Sequence, residues 1–145
     1  MKPLLESPRI EFFAHGTPAP QGSLRAFVRN GHTILTSDNR RLKPWRSEVA
    51  SCALARMEET GSQAPLFTRK VPVSLDLTFY FQKPKSTPRK QTSHIVRPDV
   101  DKAIRGILDS LTGILYHDDA QVTEIVARKR YDSIEGVRII AREAL

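Results

Sequence analysis

The stretch Val73-Ser74-Leu75-Asp76-Leu77-Thr78-Phe79-Tyr80-Phe81 decides the fold. Val73, Leu75, Leu77, Phe79 and Phe81 alternate with Ser74, Asp76, Thr78 and Tyr80, so one face is apolar and the other mixed. Alternation with a period of two is the mark of a strand laid against a core, because successive side chains leave a strand on opposite faces.

Working back toward the N-terminus, the period changes. Trp45, Val49, Cys52, Ala53 and Met57 fall at the spacing of one helical stripe, which packs as core. Pro44 suits the first helical position and Gly61 the stop. Further back, Leu24 to Arg29 and His32 to Thr36 flank Asn30-Gly31, a dipeptide that favours a type I′ hairpin turn. Ser37-Asp38-Asn39 then supplies turn and cap residues. Arg9 to Phe13 reads as a strand, broken by Gly16-Thr17-Pro18-Ala19-Pro20-Gln21-Gly22.

Working forward, Gln82 to Pro98 carries Lys83, Lys85, Arg89, Lys90 and Arg97 without an acidic residue. Pro84, Pro88 and Pro98 oppose regular structure there, so residues 82–98 read as an exposed, mobile basic loop. Val100 to Leu111 is a second helix, with Val100, Ala103, Ile104, Ile107, Leu108 and Leu111 at helical spacing. Asp99 is placed to cap its start and Gly113 to break its end. Val122 to Arg130 and Val137 to Ala141 close the chain as strands. This order predicts a mixed α/β or α+β layer, with two helices on one side of a small sheet and a hairpin, in a single domain over residues 1–145.

Charge and composition narrow the function. The 145 residues carry 23 Lys+Arg against 16 Asp+Glu, a net charge of +7, with a sequence pI near 9.9. Such a surplus favours an anionic partner, nucleic acid first among them, although a basic surface also serves solubility. A lone Cys52 excludes an internal disulfide, and the scattered His15, His32, His94 and His117 offer no zinc-binding spacing. No apolar run reaches bilayer length and Met1 to Glu6 lacks a secretory pattern, which points to a soluble intracellular protein without a membrane partner.

Within this basic chain, Asp99, Asp101, Asp109, Asp118 and Asp119 crowd into 21 residues. Asp101, Arg105 and Asp109 form a row at i,i+4 spacing, separate from the apolar stripe of their helix. Two carboxylates at a helix start, joined by a third from a neighbouring strand, would supply the hard oxygen ligands that Mg²⁺ requires. Asp118 and Asp119 are adjacent, so in extended chain at most one would share the ion with Asp99 and Asp101. Capping at Asp99, surface ion pairs along the row and a turn at Asp118-Asp119 are the structural alternatives.

The residues that carry the acids resemble a known pattern. Arg97-Pro98-Asp99-Val100-Asp101, followed by Leu108-Asp109-Ser110-Leu111-Thr112-Gly113-Ile114-Leu115-Tyr116-His117-Asp118-Asp119-Ala120-Gln121-Val122, resembles the RusA family of Holliday-junction resolvases. The resemblance covers about Arg97 to Lys129. It implies an α/β homodimer, cytoplasmic and of bacterial or phage origin, that needs Mg²⁺ (or Mn²⁺), binds four-way DNA junctions and makes paired nicks. Carried over by position, the essential acidic ligands fall on Asp99, Asp101 and Asp119, with Asp118 as a close neighbour. The family's basic catalytic residue, usually lysine, falls on Arg105, which keeps the charge but does not readily give up a proton. Lys102 stands where the family commonly has Asn and is read as a phosphate contact. Lys83, Lys85, Arg89, Lys90 and Arg97 would grip the DNA backbone, with His94 in the same loop. A nuclease of wider taste for flaps or forks, a non-catalytic DNA-binding accessory and a nucleotide hydrolase remain the competing readings.

Overall fold

The computed structural model describes residues 7–22, 24–37 and 40–145. Its main sheet has strand order β1-β6-β4-β5, built from β1 (Arg9–His15), β4 (Val73–Phe81), β5 (Val122–Tyr131) and β6 (Gly136–Glu143). β6 runs antiparallel to both β1 and β4, whereas β4 and β5 are parallel. A separate hairpin joins β2 (Leu24–Arg29) to β3 (His32–Ser37). Asn30 and Gly31 have φ of 51° and 76° in its turn, the left-handed pair that a type I′ turn demands. Asp38 and Asn39, read as turn and cap residues, and Met1 to Glu6 lie outside the described residues.

Two helices, α1 (Leu42–Glu59) and α2 (Val100–Leu111), cover one face of the sheet. The core joins Trp45, Val49, Ala53 and Met57 of α1, and Ala103, Ile107 and Leu111 of α2, to Leu75, Leu77 and Phe79 of β4. The fold is thus the mixed α+β layer that the sequence predicts. On the opposite face the alternate residues of β4 meet polar neighbours: Arg128 Nη1 donates to Asp76 Oδ1 at 2.7 Å, and the Ser74 hydroxyl to Glu124 Oε1 at 2.6 Å. β4 is therefore buried on both sides, by apolar packing below and by side-chain pairing above.

Two details differ from the sequence reading. α1 begins at Leu42, so Pro44 is its third residue rather than its first. The position still tolerates proline, because the first backbone N–H groups of a helix have no partner within it. The predicted loop after β4 holds no helix or strand, yet it is not free along its length. Turns close at Pro84 to Thr87 and Pro88 to Gln91, and Lys129 of β5 donates to the carbonyls of Val96 at 2.8 Å and Pro98 at 2.9 Å.

Gly136 opens β6 where the strand pairs with His15 of β1. A Cβ there would intrude on the Ala14 carbonyl oxygen and the Phe13 ring. Gly136→Ala must push β1 off the sheet and should destabilise the fold by about 2–3 kcal/mol. A urea unfolding midpoint equal to that of the unmodified chain would refute this account.

Candidate active site

The acidic residues belong to the two ends of α2. At its N-terminus Asp99 occupies the cap position with extended backbone (φ −66°, ψ 144°), but its side chain makes no capping hydrogen bond. The expected capping role is therefore not realised, and the carboxylate stays available, with Lys102 Nζ at 3.9 Å. Asp101 lies in the first turn of α2, with Arg105 Nη2 at 3.9 Å. Both acids are exposed on the helix surface. Of the predicted Asp101–Arg105–Asp109 row, the first pair is present. Asp109 instead faces Arg46 of α1 across 4.0 Å.

At the other end, Asp118 and Asp119 lie at a turn rather than in a strand, the alternative that the sequence left open. They enter a short 3-10 turn, Asp119–Gln121, just before β5. Asp118 caps it, accepting from the Ala120 amide at 2.9 Å. Gln121 completes the box: its carbonyl oxygen accepts from the amides of His117 (2.8 Å) and Asp118 (3.2 Å), while its amide donates to the carbonyls of Thr68 (2.8 Å) and Val71 (3.1 Å). Asp118 is thus committed to the backbone of its turn. Asp119 lines a hollow of about 470 Å³ with Arg46, Asp109, Thr112, His117 and Asp118. Partial burial, then the hydrogen bond and charge of Asp118, then the charge of Asp109, hold its carboxyl above the ordinary aspartate value.

The two ends are far apart. The 12 residues of α2 span about 18 Å. Lys129, beside Asp99, lies seven residues along β5 from Val122, or about 23 Å from the strand's start near Asp119. Among the described residues no set of three acids, histidines or cysteines gathers closely enough to hold a metal ion. The expected convergence of Asp119 on Asp99 and Asp101 therefore does not occur within one subunit. Each end keeps its own acids and its own cations.

The basic residues gather at the Asp99 end. Lys85, Arg89, Lys90 and Arg97 are exposed, and Lys83 Nζ reaches the Arg89 carbonyl at 3.4 Å. His94 differs from them: only 8% exposed, its ring packs on Phe81 (4.3 Å) and Tyr131 (5.0 Å). It is a post under the loop rather than part of its outer surface. Burial, and then the charge of Lys129, lower its pKa from 6.5. Lys129 itself is pushed down from its usual value by burial, which the charge of Asp99 opposes.

Two residues in this arrangement carried no weight in the sequence reading, Lys129 and Arg46, and Gln121 entered it only as part of the Asp118-Asp119-Ala120-Gln121-Val122 motif. The D-x-x-Q spacing of Asp118 and Gln121 is a capping-box signature and could have been read. Lys129 and Arg46 act through contacts distant in the chain, for which no local signal exists.

Two exposed acids at a helix start thus lie beside a cation-rich loop. The chain belongs to the RusA family: residues 16–141 match the family described as Endodeoxyribonuclease RusA. By family it is therefore a DNA endonuclease, and the family's targets are branched DNA junctions. It is also 30% identical over 144 residues to "Uncharacterized protein YqaN" of Bacillus subtilis (strain 168), an alignment that spans 92% of this chain and 96% of that protein. No helix among the described residues is long and apolar enough to cross a membrane.

Two predictions test the supports of the site. Gln121→Ala leaves two amides and two carbonyls without their side-chain partner and should cost about 2–3 kcal/mol, against about 1 kcal/mol for Asp118→Ala, which removes one cap. Equal losses in urea unfolding would overturn the bracket role of Gln121. The second concerns pH. Because the folded-state pKa of His94 lies below 6.5, the open loop binds the proton more tightly than the closed one. The tether is then intact above that value and weakens as pH falls through it. Hydrogen exchange of the Gln91 to Val96 amides, corrected for intrinsic rate, should accelerate between about pH 7.5 and 5.5; constant protection would contradict it.

Proposed function

We propose that the protein resolves four-way DNA junctions by paired symmetric nicks, as a Mg²⁺-dependent homodimer acting in DNA recombination and repair in the cytoplasm of a bacterium or its phage. The observation that carries this reading is the pair Asp99 and Asp101, uncapped at the N-terminus of α2, beside a basic loop in a chain of an endodeoxyribonuclease family.

The donor set suits the ion. Carboxylate oxygens are hard ligands, and Mg²⁺ is commonly held by one or two of them together with substrate phosphates. Asp99 and Asp101 would hold it, with Asp119 as the third ligand and Asp118 as a neighbour committed to its turn. When bound, such an ion supplies neutralisation of phosphate charge and a water acidic enough to act near neutral pH.

Since Asp119 lies at the far end of α2, we assign it to the site of a second copy. In an isologous pair related by an axis across the middle of α2, the two helices lie antiparallel. Each N-terminus then meets the other copy's C-terminus, and two equivalent sites form together. That geometry suits a junction with twofold symmetry and accounts for nicks made in pairs.

The other residues act on the DNA directly. Arg105 places a permanent positive charge against the phosphate during attack, a role that needs no proton transfer. Lys102, Lys83, Lys85, Arg89, Lys90 and Arg97 hold the backbone, which gives affinity that falls with salt and little reading of sequence. His94 supports the loop that presents them.

The test is a synthetic four-way junction with the unmodified chain, Asp101→Asn, Asp119→Asn and an equimolar mixture of the two variants. The unmodified chain should cut in Mg²⁺ and not in a chelator, and each variant alone should bind without cutting. Mixed dimers should regain nicking, because one of their two sites has all its acids. Silence of the mixture, with mixed dimers demonstrated, would refute the shared site. Uncut junctions with the unmodified chain in Mg²⁺ would refute the resolvase reading.

A further inference from the structure

A hollow of about 570 Å³ opens beside Asp99, and the backbone-gripping surface does not explain it. One wall is the Gly16-to-Gly22 linker that follows β1. Hydrogen bonds from the Gly16 amide to the Glu135 carbonyl (3.2 Å) and from the Gln21 amide to the Lys102 carbonyl (3.0 Å) fasten this linker down. The close approach of the Ala19 carbonyl to Gly106 of α2 presses it onto the helix. The facing wall is the 82–98 loop, held by His94 and Lys129. Both walls are thus fixed, and the space between them is a built cleft.

Its chemistry is mixed in a particular way. Pro18, Phe81, Pro84, Val96 and Pro98 give flat apolar surface, while Arg97 and Lys102 put positive charge at the edge next to Asp99. His94, which also lines the cleft, is nine-tenths buried, and its Nδ1 has no hydrogen-bond partner among the described residues. A buried polar atom left unpaired is costly unless something pairs with it. Apolar faces for a planar ring, cations for a phosphate and an unpaired imidazole nitrogen fit one kind of ligand. The volume lies within the range of sites that enclose a single small molecule.

We propose that this cleft receives one unpaired nucleotide of the strand being cut, the neighbour of the scissile phosphate, and reads its base. The inference rests on the nuclease reading of Asp99 and Asp101, since the phosphate held there sets which nucleotide reaches the cleft. Taking a base out of its stack costs least where pairing is already broken. A cleft that demands an extruded nucleotide therefore favours the branch point over intact duplex, and adds a base preference to recognition by shape.

The experiment uses junctions carrying 2-aminopurine, whose fluorescence rises on unstacking, at successive positions around the cut. They are bound by the full chain in Ca²⁺, and binding is followed separately by anisotropy. Fluorescence should rise at one position adjacent to the cut. Val96 is 53% exposed and Gln82 is exposed on the same rim, so Val96→Trp and Gln82→Trp each fill the cleft without entering the core. Cleavage rates on four junctions that differ only at that base should spread by roughly tenfold or more with the unmodified chain, and by only about twofold with either variant. Either a bound and cleaved junction without any 2-aminopurine signal, or a rate spread unchanged in both folded variants, would overturn the cleft while leaving the nuclease reading intact. A chain that neither binds nor cuts junctions would overturn both.

Discussion

The parallel pairing of β4 with β5 is the constraint from which the rest of the arrangement follows. Antiparallel neighbours can be joined by a tight turn, but parallel neighbours need a crossover that carries the chain back along the sheet. Here the crossover is the basic loop, then α2, then the capped turn at Asp118. Because α2 makes the return journey, its two ends are tied to opposite ends of the sheet. Asp99 and Asp101 are fixed near the C-terminal end of β4, and Asp119 near the start of β5. The separation of the acids is a property of the topology, and no local side-chain adjustment removes it.

The same topology sorts the charges. The loop leaves β4 directly beside the N-terminus of α2, so its lysines and arginines are delivered to the end that carries Asp99 and Asp101. Lys129 ties the two features together. It projects from β5 to the carbonyls of Val96 and Pro98, immediately before Asp99, so sheet, loop and helix start are held at one point. A net charge of +7 spread evenly would give only weak attraction for a polyanion. Five cations set on one loop, Lys83, Lys85, Arg89, Lys90 and Arg97, give it a direction.

Much of this was legible in the sequence, and the parts that were not have identifiable reasons. The alternation of Val73 to Phe81, the Asn30-Gly31 turn and the stripes of both helices gave strands, hairpin and helices close to their observed bounds, because each is a local pattern. Pro44 misled by two residues, since proline fits anywhere in a first turn. The expected gathering of Asp99, Asp101 and Asp119 does not occur within one subunit, for a reason that is partly arithmetic. A helix from Val100 to Leu111 is long enough to part the motifs at its two ends, and their nearness along the chain hid that distance. Which strand lies beside β4, and that it runs parallel, is decided by pairing remote in sequence and left no local trace. The same holds for Lys129, an ordinary strand lysine until its partners are known.

Two aspartates among the described residues occupy cap positions, Asp99 and Asp118, and they behave differently. Asp118 accepts from a backbone amide of its turn and is reinforced by Gln121, as local energetics favour. Asp99 stands at the head of a longer helix, where the same bond would be worth about 1 kcal/mol, and does not make it. Both residues have the same side chain and extended backbone, so the difference lies in where the carboxylate is directed. Asp118 turns inward to its own peptide and stabilises structure. Asp99 remains open to solvent beside Asp101, Lys102 and the cleft. Departures from a local rule concentrate where a site has a use for the group concerned. That argument supports the proposed role in chemistry of the acid that forgoes its cap, whereas the acid that takes its cap holds the turn that positions Asp119.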